Sequence, residues 1–457
     1  MARSAPSWSA LQGAIAGEVV LAGGPGYEAV RRPAIARFHE LRPAAVVLCR
    51  TPEDVAETIA FAVRYGLPTA TRSGGHCFAG RSSTDGVVID VRPMRSVAVS
   101  DGVARIGAGA RLGEVYDALI EHGVTIPAGC GPAVGIAGLT LGGGLGILGR
   151  RHGLTSDSLL GAQVVLADGR VVECDEHHDA DLFWALRGAG AGGFGVVTSL
   201  VLRTLPPPAA TSFHMIWPRS EAVAVIDAWQ EWAPAAPDEI AVSLLITLPA
   251  DLDRPPLVNV FGAMLGTEAD TAELLDGLVT RAGSAPASAS RRHLAFRETK
   301  RFLAEHGPGQ DRPNGHAYSR SEFFRRSLPI EAIAALVDGF LGERVAGESR
   351  ELDFTPWGGA YNRVPADATA FVHRNERFLL KQAVVVEPDA PAAERRAARG
   401  WLDRSWSTAH PWGSGGVYPN FPEPGLADPD ATYHGQNAER LRRVRRAYDP
   451  DGFFRSP

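Results

Sequence analysis

The sequence predicts an α+β protein built in two unequal parts, and three observations carry that reading. The first 205 or so residues alternate short β-type runs with helical runs, without the long regular βαβ series of a doubly wound fold. Pro206-Pro207-Pro208 then interrupts the chain with a segment that continues neither a helix nor a central strand. From about 210 to 410, strand-like runs alternate with helical ones in the pattern of an antiparallel sheet backed by helices. The expected division is 1–205, 206–410 and a returning C-terminal segment, 411–457.

Each element has a local reason. Residues 44–49 are apolar and rich in Val, and read as a strand. Thr51 as N-cap and Pro52 in the first turn open a helix over 52–64. Residues 86–91 and 97–99 read as strands, and 112–122 as an amphipathic helix stopped by Gly123. Asp168-Gly169 between 162–167 and 170–174 is a hairpin signature. A helix over 182–187 and a strand over 196–202 complete the first part. The second part offers strands at 240–248, 257–265, 368–374 and 381–386, and helices at 220–232, 269–281, 330–341 and 392–408. Residues 433–454 read as one terminal helix closed by Asp449-Pro450-Asp451-Gly452.

Composition excludes several classes. The 457 residues are 45% hydrophobic and 21% charged, ordinary for a globular chain long enough for two or three domains. A net charge of −6 implies no nucleic-acid partner, and the basic cluster at 440–446 reads as a solvated helix face. Cys49, Cys77, Cys130 and Cys174 show neither a disulfide framework nor CxxC spacing. His177-His178 sits in a charged loop, so no metal site is expected. No apolar run approaches the ~20 residues that span a bilayer, and the first residues lack a sustained apolar stretch, so a cytoplasmic protein is expected. Abundant Ala, Arg and Gly point to a GC-rich bacterial genome. Oligomeric state leaves no signal.

Three glycine-dense blocks carry the chemistry. Arg72-Ser73-Gly74-Gly75-His76 places one histidine beside two glycines, which let a backbone approach a flat ring or a pyrophosphate. A second run, from Pro127 to Gly146, contains Cys130, Val134, Gly138, Gly142, Gly143, Gly144 and Gly146. The third, Gly188-Ala189-Gly190-Ala191-Gly192-Gly193, fits G-x-G-x-x-G. A nicotinamide-binding motif needs a strand before it and a helix after it, and here the order is reversed. Gly413-Ser414-Gly415-Gly416 looks like a serine-protease loop but lacks the preceding Asp, so a serine hydrolase is set aside.

In their order and spacing, these blocks resemble the FAD-linked oxidases of the vanillyl-alcohol oxidase superfamily, most closely the berberine-bridge-enzyme-like branch. The resemblance covers 35–205 strongly and 350–457 well, with almost no specific motif in 210–350. It implies a two-subdomain FAD-binding domain, a substrate domain lying over the isoalloxazine and a C-terminal segment returning to the first domain. The 72–76 loop would cradle the pyrophosphate with backbone N–H groups, and His76 would bond the flavin 8α-methyl. Cys77, Gly80, Gly138, Gly142, Gly143, Gly144, Gly146, Gly192, Val196 and Val197 would line FAD. Relatives with a second link, from cysteine to flavin C6, carry that cysteine directly before the proline. Here Gly131 precedes Pro132 and Cys130 is displaced by one, which turns a side chain of an extended segment the other way and favours a single histidyl link. Val134 stands where oxidases of this branch have Val at an oxygen gate.

Tyr418-Pro419-Asn420 resembles the family's Tyr-x-Asn segment beside the flavin. Tyr418 is the candidate general base, and Asn420 would fix a flavin edge or a substrate hydroxyl. Trp357-Gly358-Gly359 resembles the aromatic-Gly-Gly segment of the substrate pocket. Tryptophan has no acid–base proton, so a two-tyrosine mechanism would need Tyr361. Tyr433, Gly435, Asn437 and Arg440 match the terminal Tyr-x-Gly-x-Asn-x-x-Arg pattern, which brings Asn437 toward the flavin ring. The implied activity is hydride transfer from an alcohol carbon of a saccharide or secondary metabolite to flavin N5, with O2 reduced to H2O2. The implied partners are a small-molecule substrate and O2, without nucleic acid or membrane. An amine oxidase resembling 6-hydroxynicotine oxidase and a non-catalytic flavin-binding protein stay open as alternatives.

Overall fold

Three sheets organise the chain, which a computed structural model describes over residues 5–190, 193–308 and 315–454. The first sheet contains β1 (Glu18–Leu21), β2 (Ala45–Leu48), β3 (Thr69–Arg72) and β4 (Val87–Asp90), in the order β1-β2-β4-β3. β2 and β3 run parallel to β4, and β1 is an antiparallel edge. The crossover from β2 to β3 is the helix Pro52–Tyr65. Thr51 and Asp54 form a capping box at its start, and Gly66 ends it at φ 63°. Val55, Ile59 and Ala62 form its buried stripe.

The second sheet holds β5 (Val97–Ser100), β6 (Val103–Gly107), β7 (Leu159–Val165), β8 (Val171–Asp175) and β9 (Val196–Arg203), antiparallel throughout in the order β5-β6-β9-β7-β8. The Asp168-Gly169 turn joins β7 to β8 as expected. A helix, Ala180–Leu186, precedes the third glycine block and β9 follows it, the reverse of a nicotinamide fold. Val47, Ile89, Ile106, Leu119, Val164 and Leu200 share one core, so the two sheets are a single packed body.

The third sheet is larger and wholly antiparallel: β10 (Ala210–Pro218), β11 (Ile240–Leu248), β12 (Leu257–Met264), β13 (Ser288–Leu294), β14 (His316–Phe324), β15 (Glu348–Pro356) and β16 (Phe378–Val386), ordered β13-β10-β12-β11-β15-β16-β14. Helices Ala222–Trp232, Glu268–Ala282, Ile330–Leu341 and Ala392–Ala409 cover one face, where Trp229, Leu275, Ile333 and Trp401 pack with Phe354 and Leu380. Side chains alternate along a strand, so Ser243, Phe261 and Thr355 lie on the other face, toward the glycine loops.

Two expectations are corrected. Residues 368–374 form no strand: the segment is irregular and organised around the buried Arg374 guanidinium. That group binds both oxygens of Asp157, at 2.9 and 2.7 Å, together with Thr369 Oγ1 and the carbonyls of Tyr361 and Phe371. The tail is not one helix either. Helix Pro429–His434 stops at Gly435 (φ 46°, ψ −125°), a short 3-10 turn spans Gly435–Asn437, and a helix resumes over Ala438–Tyr448. Asp449 closes it by accepting from the amides of Phe453 and Phe454. Among the described residues, no helix is long and apolar enough to cross a membrane.

Candidate active site

The first two glycine blocks meet backbone to backbone. At Gly74 a Cβ would lie 2.2 Å from the Gly135 nitrogen, so only glycine permits the approach. Ser73 fixes the loop by donating to Ala108 O at 2.7 Å. Gly75 turns the chain at φ 75°, and its carbonyl accepts from Ala34. Gly80 lies against the Phe38 ring. His76 follows, half-buried, with Cys77 beside it. Burial first, then the charge of Arg111, pulls the His76 imidazole below the usual histidine range, so the ring is neutral at neutral pH. Arg72 does not face this loop's open side. Its guanidinium donates to the carbonyls of Ser82, Val30 and Arg31, which makes it a scaffold for the loop rather than a cofactor contact.

The second block lines a cavity of about 220 Å³. Cys130, Gly131, Leu145, Gly146 and Tyr361 form one wall, and Ser243, Phe261, Gly262 and Thr355 of the large sheet form the other. Cys130, displaced by one position, is half-buried and lines this cavity. Val134 is half-buried, 3.1 Å from where a Gly131 Cβ would stand. The space over Gly138, on the short helix Ile136–Leu141, is open: a Cβ there would meet nothing within 4 Å. Backbone loops in contact, an open glycine platform and a neutral histidine beside it fit a flavin dinucleotide.

Tyr418 and Tyr361 differ in their hydrogen bonding. The Tyr418 oxygen accepts from Gly144 N at 2.9 Å, Leu145 N at 3.1 Å and Asn420 Nδ2 at 3.1 Å. Asn420 is held by a second donation to Leu139 O at 2.8 Å, and its side chain occupies the space that a Cβ on Gly142 would need. Burial pushes the Tyr418 phenol up to about 12, while these donors pull it down. Tyr361 lines the cavity, but its hydroxyl donates to Gly146 O at 3.0 Å, and burial raises its pKa as well. Trp357 lies behind it, fully buried, stacked on Tyr361 at 4.4 Å and donating to His373 O. It supports Tyr361 and contributes nothing to the cavity wall.

Other expected contacts fall elsewhere. Asn437 is buried and donates to the carbonyls of Ala366 and Thr369, so it fixes the irregular 366–370 loop instead of facing a flavin ring. Val196 and Val197 are core positions of β9. Gly143 and Gly144 carry positive φ in the turn that aims two amides at Tyr418, and Gly146 packs on Ala128 O. Gly192 lies outside the described residues. Sequence reasoning missed Lys300, buried against the Cys130 loop, and Arg150, whose terminal nitrogens donate to the carbonyls of Pro234, Ala236 and Trp357. Neither sits in a motif, and a basic residue in a helix reads as solvated until its neighbours are seen.

The cradle, the cavity and the buried phenol define an FAD-linked oxidoreductase, and comparisons with known proteins agree. Residues 43–175 match the family model described as FAD binding domain, and residues 417–457 match berberine and berberine like. An uncharacterized FAD-linked oxidoreductase, YgaK of Bacillus subtilis, is 33% identical, covering 96% of each chain. (R)-6-hydroxynicotine oxidase of Paenarthrobacter nicotinovorans is 32% identical, again over 96% of each. The structure of glucooligosaccharide oxidase from Acremonium strictum, described with a 6-S-cysteinyl, 8α-N1-histidyl FAD, superposes with a TM-score of 0.87 at 26% identity, covering 98% of this chain and 97% of that one. The chain belongs to the berberine-bridge-enzyme-like family of FAD-linked oxidoreductases, and FAD is its cofactor.

Proposed function

We propose that the protein is an oxidase that takes a hydride from an alcohol carbon, with Tyr418 as the general base. One observation carries the assignment: three N–H donors converge on the Tyr418 oxygen, and no acceptor for the phenol's own proton is present among the described groups around it. The three donors pull the phenol down against the burial that holds it at about 12, so they stabilise the anion relative to an equally buried phenol without them, and that anion draws the proton from a substrate hydroxyl. Tyr361 has its acceptor in Gly146 O, so it is the weaker candidate and serves to shape the wall. Bound in the cradle, FAD supplies the hydride acceptor at N5 and the route by which O2 becomes H2O2. His76, neutral and beside the cradle, is the residue placed to hold the flavin covalently through its methyl group.

The sheet side of the cavity favours a secondary metabolite over an oligosaccharide. Ser243 and Thr355 are its two hydroxyls, set among Ala241, Phe261 and Pro356. A sugar chain would leave many hydroxyls without partners there. The test is anaerobic bleaching of the purified protein by a panel of hydroxylated aromatics, terpenoid alcohols and oligosaccharides, followed by H2O2 detection on admitting air. Bleaching by an alcohol with H2O2 release upholds the reading. Bleaching only by cyclic amines moves it to the amine oxidases, for which the similarity to 6-hydroxynicotine oxidase is the supporting observation.

A further inference from the structure

The Gly413-Ser414-Gly415-Gly416 run lies along the outer edge of β14, the last strand of the large sheet. Ser414 N donates to Phe323 O at 2.8 Å, and Phe323 N donates to Gly416 O at 2.9 Å. The buried Glu322 carboxylate meets the start of this run. It accepts from Gly415 N at 3.1 Å and bonds His410 Nδ1 at 2.9 Å. A Cβ on Gly413 would lie 2.1 Å from its Oε1, so glycine leaves the room that the carboxylate fills. Two residues back on the same strand, Arg320 meets the far end of the segment. Its Nε lies 2.6 Å from Glu423 Oε1, and its Nη1 donates to Asp403 at 3.1 Å. The guanidinium rests on the Trp406 ring at 3.6 Å, and that ring stacks on His410 at 4.0 Å. Tyr418 and Asn420 stand between these two points. Side chains alternate along β14, so Phe323 turns to the face opposite Glu322, where its ring meets that of Tyr418 at 6.2 Å.

We propose that Glu322 is a positioning residue for Tyr418. With Arg320 it clamps both ends of the 413–423 segment to β14, and the clamp sets the Tyr418 oxygen against the amides of Gly144 and Leu145. A Gly-Ser-Gly-Gly run loses much backbone freedom on ordering, so contacts from outside must hold it in one course. The Glu322 carboxylate supplies such a contact in a charge-assisted bond to the amide of Gly415, itself at φ 77°. Three residues on, the Tyr418 oxygen reaches Gly144 N at 2.9 Å and Leu145 N at 3.1 Å, in the other part of the molecule. Glu322 acts on that oxygen only through the backbone between them. Its value to catalysis rests on the reading of Tyr418 as base, whereas the placement of the phenol stands on geometry alone.

The test is amide hydrogen exchange, read by peptide mass spectrometry on the purified holoenzyme. Peptides over 142–148 report the two amides that bind Tyr418, and peptides over 412–424 report the segment itself. Glu322→Ala should speed exchange in both by about 10-fold or more, the factor that one hydrogen bond to a charged group sustains. Glu322→Gln keeps an acceptor for Gly415 N and should return both to near the wild-type rate. In Tyr418→Phe the 142–148 amides lose their acceptor and exchange fast. Adding E322A to Y418F should speed them no further, because the clamp reaches them only through the phenol oxygen. Wild-type exchange at 142–148 in E322A overturns the clamp. So does an equal further rise in the double variant, which would make Glu322 a general stabiliser, and so does E322Q exchanging like E322A. A rise spread evenly over the chain in E322A is lost stability, and Glu423→Ala, which frees the other end, then decides: faster exchange confined to the two peptides upholds the clamp, and wild-type rates at 142–148 overturn it. Flavin reduction by Y418F at the wild-type rate would sink the base reading alone, while the exchange rates would still decide the clamp.

Discussion

The Asn420 amide spans two oxygens, donating to Leu139 O at 2.8 Å and to Tyr418 Oη at 3.1 Å. The Leu139 carbonyl fixes which end of the amide carries the N–H groups, so the donor toward Tyr418 is set by the backbone. Asn420 thereby positions the Tyr418 hydroxyl, the group proposed as the base.

Asn420→Ala removes one of three donors to the phenolate. Burial alone holds Tyr418 high, at about 12 with the donors present, so losing a donor raises it further. The limb of the rate profile that requires the anion then moves to higher pH. A hydrogen bond to a charged group is worth roughly 1.5–3 kcal/mol, or about one to two pH units. Flavin bleaching at pH 7 should fall by about 10- to 100-fold and recover at alkaline pH. An unshifted profile would detach Asn420 from the base.

His76→Ala should let FAD wash out on acid precipitation, whereas the wild type should stay yellow in the pellet. Cys130→Ala should keep its flavin through His76. Loss of FAD from the denatured wild type would end the covalent assignment.

Val134→Leu should slow reoxidation of the flavin by O2 and spare its reduction by substrate. Val134 is half-buried beside the cavity-lining Gly131, where a longer side chain narrows the approach. Stopped-flow reoxidation at the wild-type rate would show that the position gates nothing.

Arg374→Leu should destabilise the protein by about 3–5 kcal/mol, because it leaves the Asp157 carboxylate buried without its bidentate partner. Equilibrium denaturation midpoints, with FAD content measured alongside, check this. A shift below about 1 kcal/mol would mean that solvent reaches Asp157 freely.

Local chemistry made much of the fold legible. The Thr51–Pro52 cap, the Asp168-Gly169 turn and the apolar runs at 240–248 and 330–341 each determine their own element. What stayed hidden depends on partners distant in sequence. β13 is an exposed edge strand, Ser288-Ala289-Ser290-Arg291-Arg292-His293-Leu294, with no apolar face to read. β15 buries Glu348, Arg350 and Asp353 because they pair across the sheet or along it, as Lys381 does with Asp353, and such residues read as loop. The 368–374 run alternates like a strand, yet Arg374 binds Asp157 from 217 positions away and bends it out of any ladder. In the site, His76, Cys130 and Tyr418 were visible because they sit in motifs. Lys300 was not, because its meaning comes wholly from the buried carbonyls and thiol around it.

Tyr418→Phe is the most direct test of the central claim. Phenylalanine keeps the ring contacts with Phe323, Trp357, Phe371 and Phe421 and removes only the oxygen that the three donors hold. The account predicts unchanged FAD content and thermal stability near that of the wild type. It also predicts a fall of about 10²- to 10⁴-fold in the anaerobic rate of flavin reduction, with loss of the basic limb of the pH profile. A mutant that reduces its flavin at the wild-type rate would contradict it, make Tyr418 a packing residue, and pass the role to the cavity-lining Tyr361.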